Sequence, residues 1–154
     1  MANISFSGGA ALEAKLREIA EKAGAPKAVR VGFLEGATYA DGKPVAQIAA
    51  INEFGAPEAN IPPRPFFRGM VERKKGEWAG DLGKIIVASD YDQDVSLGLM
   101  GKLIEDQLQE SIREFSSPEN AESTIEKKGF NKPLIDTSHM LNSVSSEIKA
   151  GDGS

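Results

Sequence analysis

The chain reads as an α+β domain: a small antiparallel sheet packed against several helices, one of them long and amphipathic. Three observations predict this. Ala28-Val-Arg-Val-Gly-Phe-Leu34 alternates so that Val29, Val31 and Phe33 share one face, the pattern of a half-buried strand. Val95, Leu99, Met100, Leu103, Ile104, Leu108, Ile112 and Phe115 keep the spacing of one helix face, the most sustained periodicity in the sequence. The elements mix strands and helices without a repeating strand–helix rhythm, which favours α+β over a doubly wound fold.

In chain order, Asn3-Ile-Ser-Phe6 alternates polar and apolar and predicts a short strand before Ser7-Gly8-Gly9. Leu12, Leu16, Ile19, Ala20 and Ala23 form one helical stripe, closed by Gly24 and Pro26. The strand at Ala28 follows, then a turn-rich loop over residues 35–44. Pro44 fits the first turn of a helix carrying Val45, Ile48, Ala49 and Asn52, with Gly55 as its C-terminal cap. Pro57, Pro62, Pro63 and Pro65 predict extended chain over residues 56–65, because proline fixes its own φ and restricts its predecessor. A helix carrying Phe67, Met70, Val71, Trp78, Leu82, Ile85 and Ile86 runs from near Pro65 to Val87, weakened at Gly76, Gly80 and Gly83. Ser89 to Asp94 break it, and Asp92 or Asp94 is placed to cap the long helix, which Ser116-Ser117-Pro118 stops. Residues 119–133 read as a polar loop. A helical turn over Ser138 to Ser143 and a strand from Val144 to Lys149, with Val144, Ser146 and Ile148 on one face, complete a single domain. That domain spans residues 1–150, its core about 10–149, and the tail Gly151 to Ser154 is expected to be disordered.

The composition shortens the list of functions. With 154 residues the chain is long enough for a core without staples. It has no cysteine and a single histidine, His139, so thiolate chemistry and a histidine-rich metal site are excluded within one chain. The N-terminus lacks a basic segment followed by an apolar run, and no stretch approaches the ~20 apolar residues that span a bilayer; we expect a soluble protein with no membrane contact. The net charge of -5 argues against a dedicated nucleic-acid binder. Charge is uneven, however. Residues 64–75 hold five basic residues against one acid, and residues 105–126 hold seven acids against one arginine. These are solvated helix faces or complementary surfaces that meet between copies.

Four segments imitate catalytic or ligand motifs. Gly36 to Pro44 resembles a phosphate loop, but the spacing is one residue too long and Pro44 stands where a hydroxyl should meet Mg²⁺. Asp90-Tyr-Asp92-Gln-Asp94 opens like a calcium loop, yet Val95 and Gly101 replace the required Gly and Glu, so helix capping explains it better. Asp136-Thr-Ser138-His139 gathers an acid, hydroxyls and the histidine, but a triad needs members converging from fixed positions; a helix N-terminus capped by Asp136, Thr137 or Ser138 is the plainer reading. Arg73-Lys74-Lys75 lacks interleaved aromatics and is a solvated face with, at most, incidental contact with passing DNA. No enzyme activity and no cofactor follow from these segments.

Ile61-Pro-Pro-Arg-Pro-Phe-Phe-Arg68 carries more information. Its prolines pre-order the backbone, and aromatic and arginine side chains are enriched in interface hot spots. We expect one of Phe66 and Phe67 to point into the core and Arg64 or Arg68 to point outward. Ala49-Ala-Ile-Asn-Glu-Phe-Gly55, this segment, and Lys132-Pro-Leu-Ile-Asp-Thr-Ser-His-Met-Leu-Asn-Ser-Val144 together resemble the tail-completion and head–tail joining proteins of tailed bacteriophages. These are also called neck or virion morphogenesis proteins. Pro63 and Phe67 stand where the family commonly has alanine and leucine, and Ser138 where it has glycine. The resemblance covers about residues 28–148.

It implies a structural virion protein, made in the host cytoplasm and located in the neck or upper tail. Such a protein forms a ring with copies of itself and contacts adjacent neck, connector or tail proteins. It brings no catalytic residues. The interaction residues we expect, from the prolines, aromatics and arginines of the segment, are Phe54, Ile61, Pro63, Arg64, Pro65, Phe66, Phe67 and Arg68. A capsid-proximal or tail-tube accessory protein is the nearest alternative. A DNA-binding regulator, or a small hydrolase using His139, would be a different class.

Overall fold

The computed structural model describes residues 8–115 and 138–151. The strand expected at Asn3 to Phe6, the stop at Ser116 to Pro118, the loop 119–133 and Pro133 to Thr137 lie outside the described residues.

Helix α1 spans Gly9–Ala23 and ends at Gly24, whose φ of 60° is left-handed. Strand β1 (Lys27–Phe33) pairs antiparallel with β2 (Val144–Ala150), in register from Lys27↔Ala150 to Phe33↔Val144. Gly151, expected in the tail, belongs to the fold: its N–H donates to Pro26 O at 2.8 Å. The loop after β1 closes on itself where Val45 N–H donates to Ala37 O at 2.9 Å, and α2 follows over Val45–Phe54. The next segment corrects the expectation of extended chain throughout residues 56–65. Pro57–Ala59 form a 3₁₀ turn that ends on Asn60 at φ 54°. Proline tolerates the first helical position as readily as an extended one, and asparagine accepts the left-handed conformation that ends the turn.

Helix α3 spans Phe66–Ala88 and α4 spans Gln93–Glu114. The link between them turns through Asp90 and Tyr91, both left-handed at φ 49° and 62°. Asp92 is the cap, its carboxylate accepting from Val95 N–H at 2.9 Å. A last short helix, α5, covers His139–Asn142.

The two long helices run antiparallel, tied by Trp78 Nε1–H to Gln107 Oε1 at 2.8 Å and by Ser111 Oγ–H to Phe66 O at 2.8 Å. Helix α4 is the centre of the fold, packing on both strands, on α3 and on α5. Gly101 is where it lies closest to the sheet. A Cβ there would stand 2.7 Å from Ser146 Oγ and 3.0 Å from a Val29 methyl. Val45, Ala49, Phe66, Met70, Leu108, Ile112, Met140, Leu141 and Val144 form the core. Of the α4 stripe, Leu108 and Ile112 are fully buried while Leu103 and Ile104 are only half-buried. No helix among the described residues is long and apolar enough to cross a membrane.

Helix α1 stands apart from this core. It buries none of its residues, and Leu12 and Leu16 remain 61% and 57% exposed. Ile19 is partly buried, and ion pairs link the helix to the body. Lys22 bonds Asp90, Lys15 lies 3.9 Å from the same carboxylate, and Lys22 also meets Glu18 at 2.9 Å. Bonds from Asp90 and Glu18 push the Lys22 ammonium up to about 12, and Lys22 holds both carboxylates below their ordinary range.

Two outcomes follow. Leu108→Ala should lower stability by about 2–5 kcal/mol in urea unfolding, the cost of an unfilled core cavity. Gly101→Leu should cost roughly 1–3 kcal/mol by overpacking the sheet, whereas Gly98→Ala, which opens onto empty space, should gain roughly 0.5–1 kcal/mol. Equal midpoints for the two glycine variants would refute the close approach.

The α1 tether should respond to pH and salt. The Lys22 pKa is raised, so its contribution is full below about 10.5 and is lost as pH rises towards 12. The carboxylates are lowered, so theirs is full above their ordinary values and is lost as pH falls below about 4. These groups are exposed, so salt screens them. The protection of α1 amides relative to their intrinsic exchange rates should therefore fall in roughly 1 M salt or at pH 3, while that of the α4 amides holds. Uniform protection of both helices would contradict the tether.

Candidate functional site

The segment singled out by sequence forms a closed clasp between the end of α2 and the start of α3. Gly55 makes the first bend, with φ 77°. A Cβ at this position would meet Ile61 O at 2.8 Å and Pro63 N at 2.9 Å, so only glycine lets the two strands of the clasp approach. Ala56 and Ile61 exchange both backbone bonds, at 2.9 and 3.1 Å. Arg64 N–H then donates to Asn52 O at 2.7 Å, and the Asn52 amide turns back to Ile48 O at 2.9 Å. Every step returns the chain to the last turn of α2.

The clasp is locked by Glu53, whose side chain is nearly fully buried. Its carboxylate accepts from Phe67 N–H at 2.9 Å and from Arg68 N–H at 3.1 Å, two of the orphan donors of the first turn of α3. The residue before α3 is Pro65, which provides no capping side chain. Glu53 supplies the cap from a different helix and places negative charge at the positive end of the α3 dipole. Arg68 closes the circuit, donating from Nε to Glu53 Oε1 at 2.7 Å and from Nη2 to Glu53 O at 3.1 Å. Its guanidinium also lies 4.9 Å over the Phe54 ring.

The expected interaction residues therefore separate into two groups. Phe66 points into the core and meets Phe33 edge-to-face at 6.2 Å. Phe67 is half-buried, its ring 3.6 Å from where a Gly32 Cβ would be. Arg64 is 8% exposed, so of the two arginines it is Arg68 that points outward. Burial lowers its guanidinium pKa from the ordinary value. What remains at the surface is Phe54, 65% exposed, with the half-exposed Arg68 side chain on it and Pro63 and Pro65 alongside; Ile61 is intermediate. Sequence reasoning missed Glu53 and Asn52. The available signal was an acid beside a helix-ending glycine, ahead of a helix that opens on proline.

The other candidate motifs do not converge. Asp90 is held by Lys22, Asp92 caps α4, and Asp94 pairs with Lys27 at 2.6 Å, so the three carboxylates of the calcium-like run serve three different partners. Among the described residues, no group of three or more acidic or histidine side chains is placed to hold a metal. His139 Nε2 lies 2.8 Å from Thr38 O, and its ring lies 4.8 Å from Tyr39. A carbonyl only accepts, so Nε2 carries the proton there and ties α5 to the loop before α2. Of the basic run, Arg73 reaches Ser111, Lys74 pairs with Glu77 and Lys75 with Glu72. These lysines are half-screened by neighbouring acids rather than gathered into a phosphate-binding face.

Compared with protein-family models, with curated proteins and with solved structures, the chain finds no match.

The clasp gives a direct test. Glu53→Gln should cost about 1.5–3 kcal/mol, the scale of hydrogen bonds to a charged group, and Glu53→Ala should cost more because the two α3 amides lose their acceptor. The urea midpoint should fall with an unchanged m-value. A midpoint equal to wild type would show that the cap carries no stability.

Proposed function

We propose that the protein is a structural component of a tailed-phage virion, a neck or tail-completion subunit that assembles with copies of itself and with adjacent neck or tail proteins. The observation that carries this reading is the pair of sequence segments that resemble that family, residues 49–68 and 132–144. The clasp supports it physically. Glu53, Arg64 and Phe66 turn inward and fix the angle between α2 and α3. Phe54 is left outside with the Arg68 guanidinium stacked on it. An exposed aromatic on a rigid support, topped by a cation, costs little entropy to bury against a partner. His139 fits the same reading as a structural tie, since its ring is engaged by Thr38 and Tyr39.

The subunit contact is accordingly reassigned within the segment. Arg64 is a folding residue, and reversing its charge would disturb the interior before it touched any interface. Phe54 is the residue to change. Phe54→Ala removes an exposed ring and one cation–π contact, worth about 0.5–1 kcal/mol to the monomer. Purified wild-type protein should co-sediment with tails or necks that lack it, and Phe54→Ala should weaken that binding roughly tenfold or more, a loss of about 1.4 kcal/mol or more. His139→Ala should bind as wild type does. A wild-type protein that binds no virion part would defeat the virion reading, and wild-type binding by Phe54→Ala would remove the clasp from the contact.

A further inference from the structure

Apolar exposure in this molecule is concentrated at the end opposite the clasp. Val87 lies in the last turn of α3, and Val95 and Leu99 lie in the first two turns of α4. Leu12 and Leu16 lie on α1, which Lys22 pins to Asp90 in the link between α3 and α4. All five side chains are about half exposed or more. Among the described residues nothing buries them. A helix of 15 residues with no fully buried side chain is marginal by itself in water. Lys15 and Lys22 are the side chains of α1 that reach Asp90, and of its apolar stripe Ile19 is partly buried while Leu12 and Leu16 are left facing outward.

We propose that α1 is a docking arm, and that Leu12 and Leu16 of one copy pack on Val95 and Leu99 of a second copy of this chain. Each pair is spaced i, i+4, so each forms a short ridge of the kind that interdigitates between packed helices. Charge selects both the partner and the direction. With α1 laid parallel to the neighbour's α4, Glu13 faces Asp94 and Arg17 faces Lys102, two contacts between like charges. With α1 antiparallel, Leu16 lies against Val95 and Leu12 against Leu99. Both like-charge contacts disappear, and the Lys27–Asp94 pair within each copy is left intact. The antiparallel arrangement also sets the two helix dipoles in opposition, which is the favourable sense. The receiving face lies at the start of α4, away from Asp106, Glu110 and Glu114, the acids that would repel the same surface of another copy. Every copy carries both the arm and the face that receives it, so no other protein is needed to complete the contact.

This rests on the self-assembly part of the proposed function and is independent of where in a virion the protein resides. The chain has no cysteine, so single cysteines report the contact cleanly. Leu16→Cys and Val95→Cys proteins, mixed in equal amounts under mild oxidation, should form the mixed disulfide in preference to either homodimer. Leu16→Cys mixed with Leu99→Cys, the parallel pairing, should not. In sedimentation velocity, wild type should self-associate with rising concentration, and Leu16→Glu should weaken that association at least tenfold. The Leu16→Glu urea midpoint should stay unchanged, because the side chain is exposed in a single copy. A wild type that stays monomeric at millimolar concentration, a preference for the parallel disulfide, or a preference for Leu16→Cys homodimers would each overturn the proposal. Loss of tail binding with self-association intact would defeat the virion reading alone.

Discussion

Helix α3 begins without a capping side chain of its own, and the buried carboxylate of Glu53 makes good that lack from across the clasp. This one contact has consequences well beyond the first turn. It fixes the angle at which α3 leaves α2, and so directs Phe66 inward onto Phe33 and lays Phe67 along Gly32. Through Phe66 O it also sets the position of Ser111 and hence of α4. A carboxylate taken out of water is costly unless its acceptor sites are filled. Here two backbone amides and the Arg68 guanidinium fill them. Arg68 is held in turn by the Phe54 ring, so the clasp's buried chemistry and its exposed surface are physically one unit.

The sheet depends on the same arrangement at one remove. A two-stranded ribbon has little stability alone, and β1 and β2 persist because α4 covers one face along their length. The fit is close enough that Gly101 has no room for a side chain against Ser146 and Val29. The opposite face carries Arg30, Glu147 and Lys149 and is open to solvent away from Gly32, which Phe67 covers.

Much of the architecture is legible in the sequence, because periodicity reports burial geometry directly. Val29, Val31 and Phe33 announce β1, the stripe from Leu108 to Ile112 announces the core face of α4, and Asp92 announces its cap. The less legible features share a cause: residue type and spacing give a side chain's chemistry but not its neighbour. Arginine reads as surface, yet Arg64 lies inside, because the clasp folds the chain over it. Glutamate after a helical stripe reads as solvated, yet Glu53 is buried because α3 presents unpaired amides to it. The α1 stripe has the same period as the α4 stripe. Nothing in a period distinguishes a face that meets the chain's own core from one that stays open, and only the fold shows that Leu12 and Leu16 stay open. The candidate site is half legible for the same reason. The Ile61 to Arg68 segment stands out by composition, but composition does not separate Phe66, which builds the core, from Phe54, which is left for contact.

The distribution of exposure bears on how copies of this chain can meet. At the clasp end, Phe66 O accepts from Ser111 in the C-terminal half of α4, where Asp106, Glu110 and Glu114 recur every four residues. Like charges at that spacing destabilise a helix by a few tenths of a kcal/mol per pair, and acids in its last turns oppose the dipole as well. At the other end, charges are matched within the chain, Lys22 with Asp90 and Lys27 with Asp94, and the side chains left over are apolar. Two acidic ends repel when brought together. Two neutral apolar ends do not, and a cationic aromatic such as the Phe54–Arg68 pair is complementary to an acidic surface rather than to itself. A molecule whose ends differ in this way carries a direction. Contacts that join unlike surfaces propagate from copy to copy and close into a ring if the rotation allows, whereas contacts that join like surfaces stop at two. The polarity needed for the first kind of assembly is thus already present in the single chain, set by which of its helix ends the clasp turns outward.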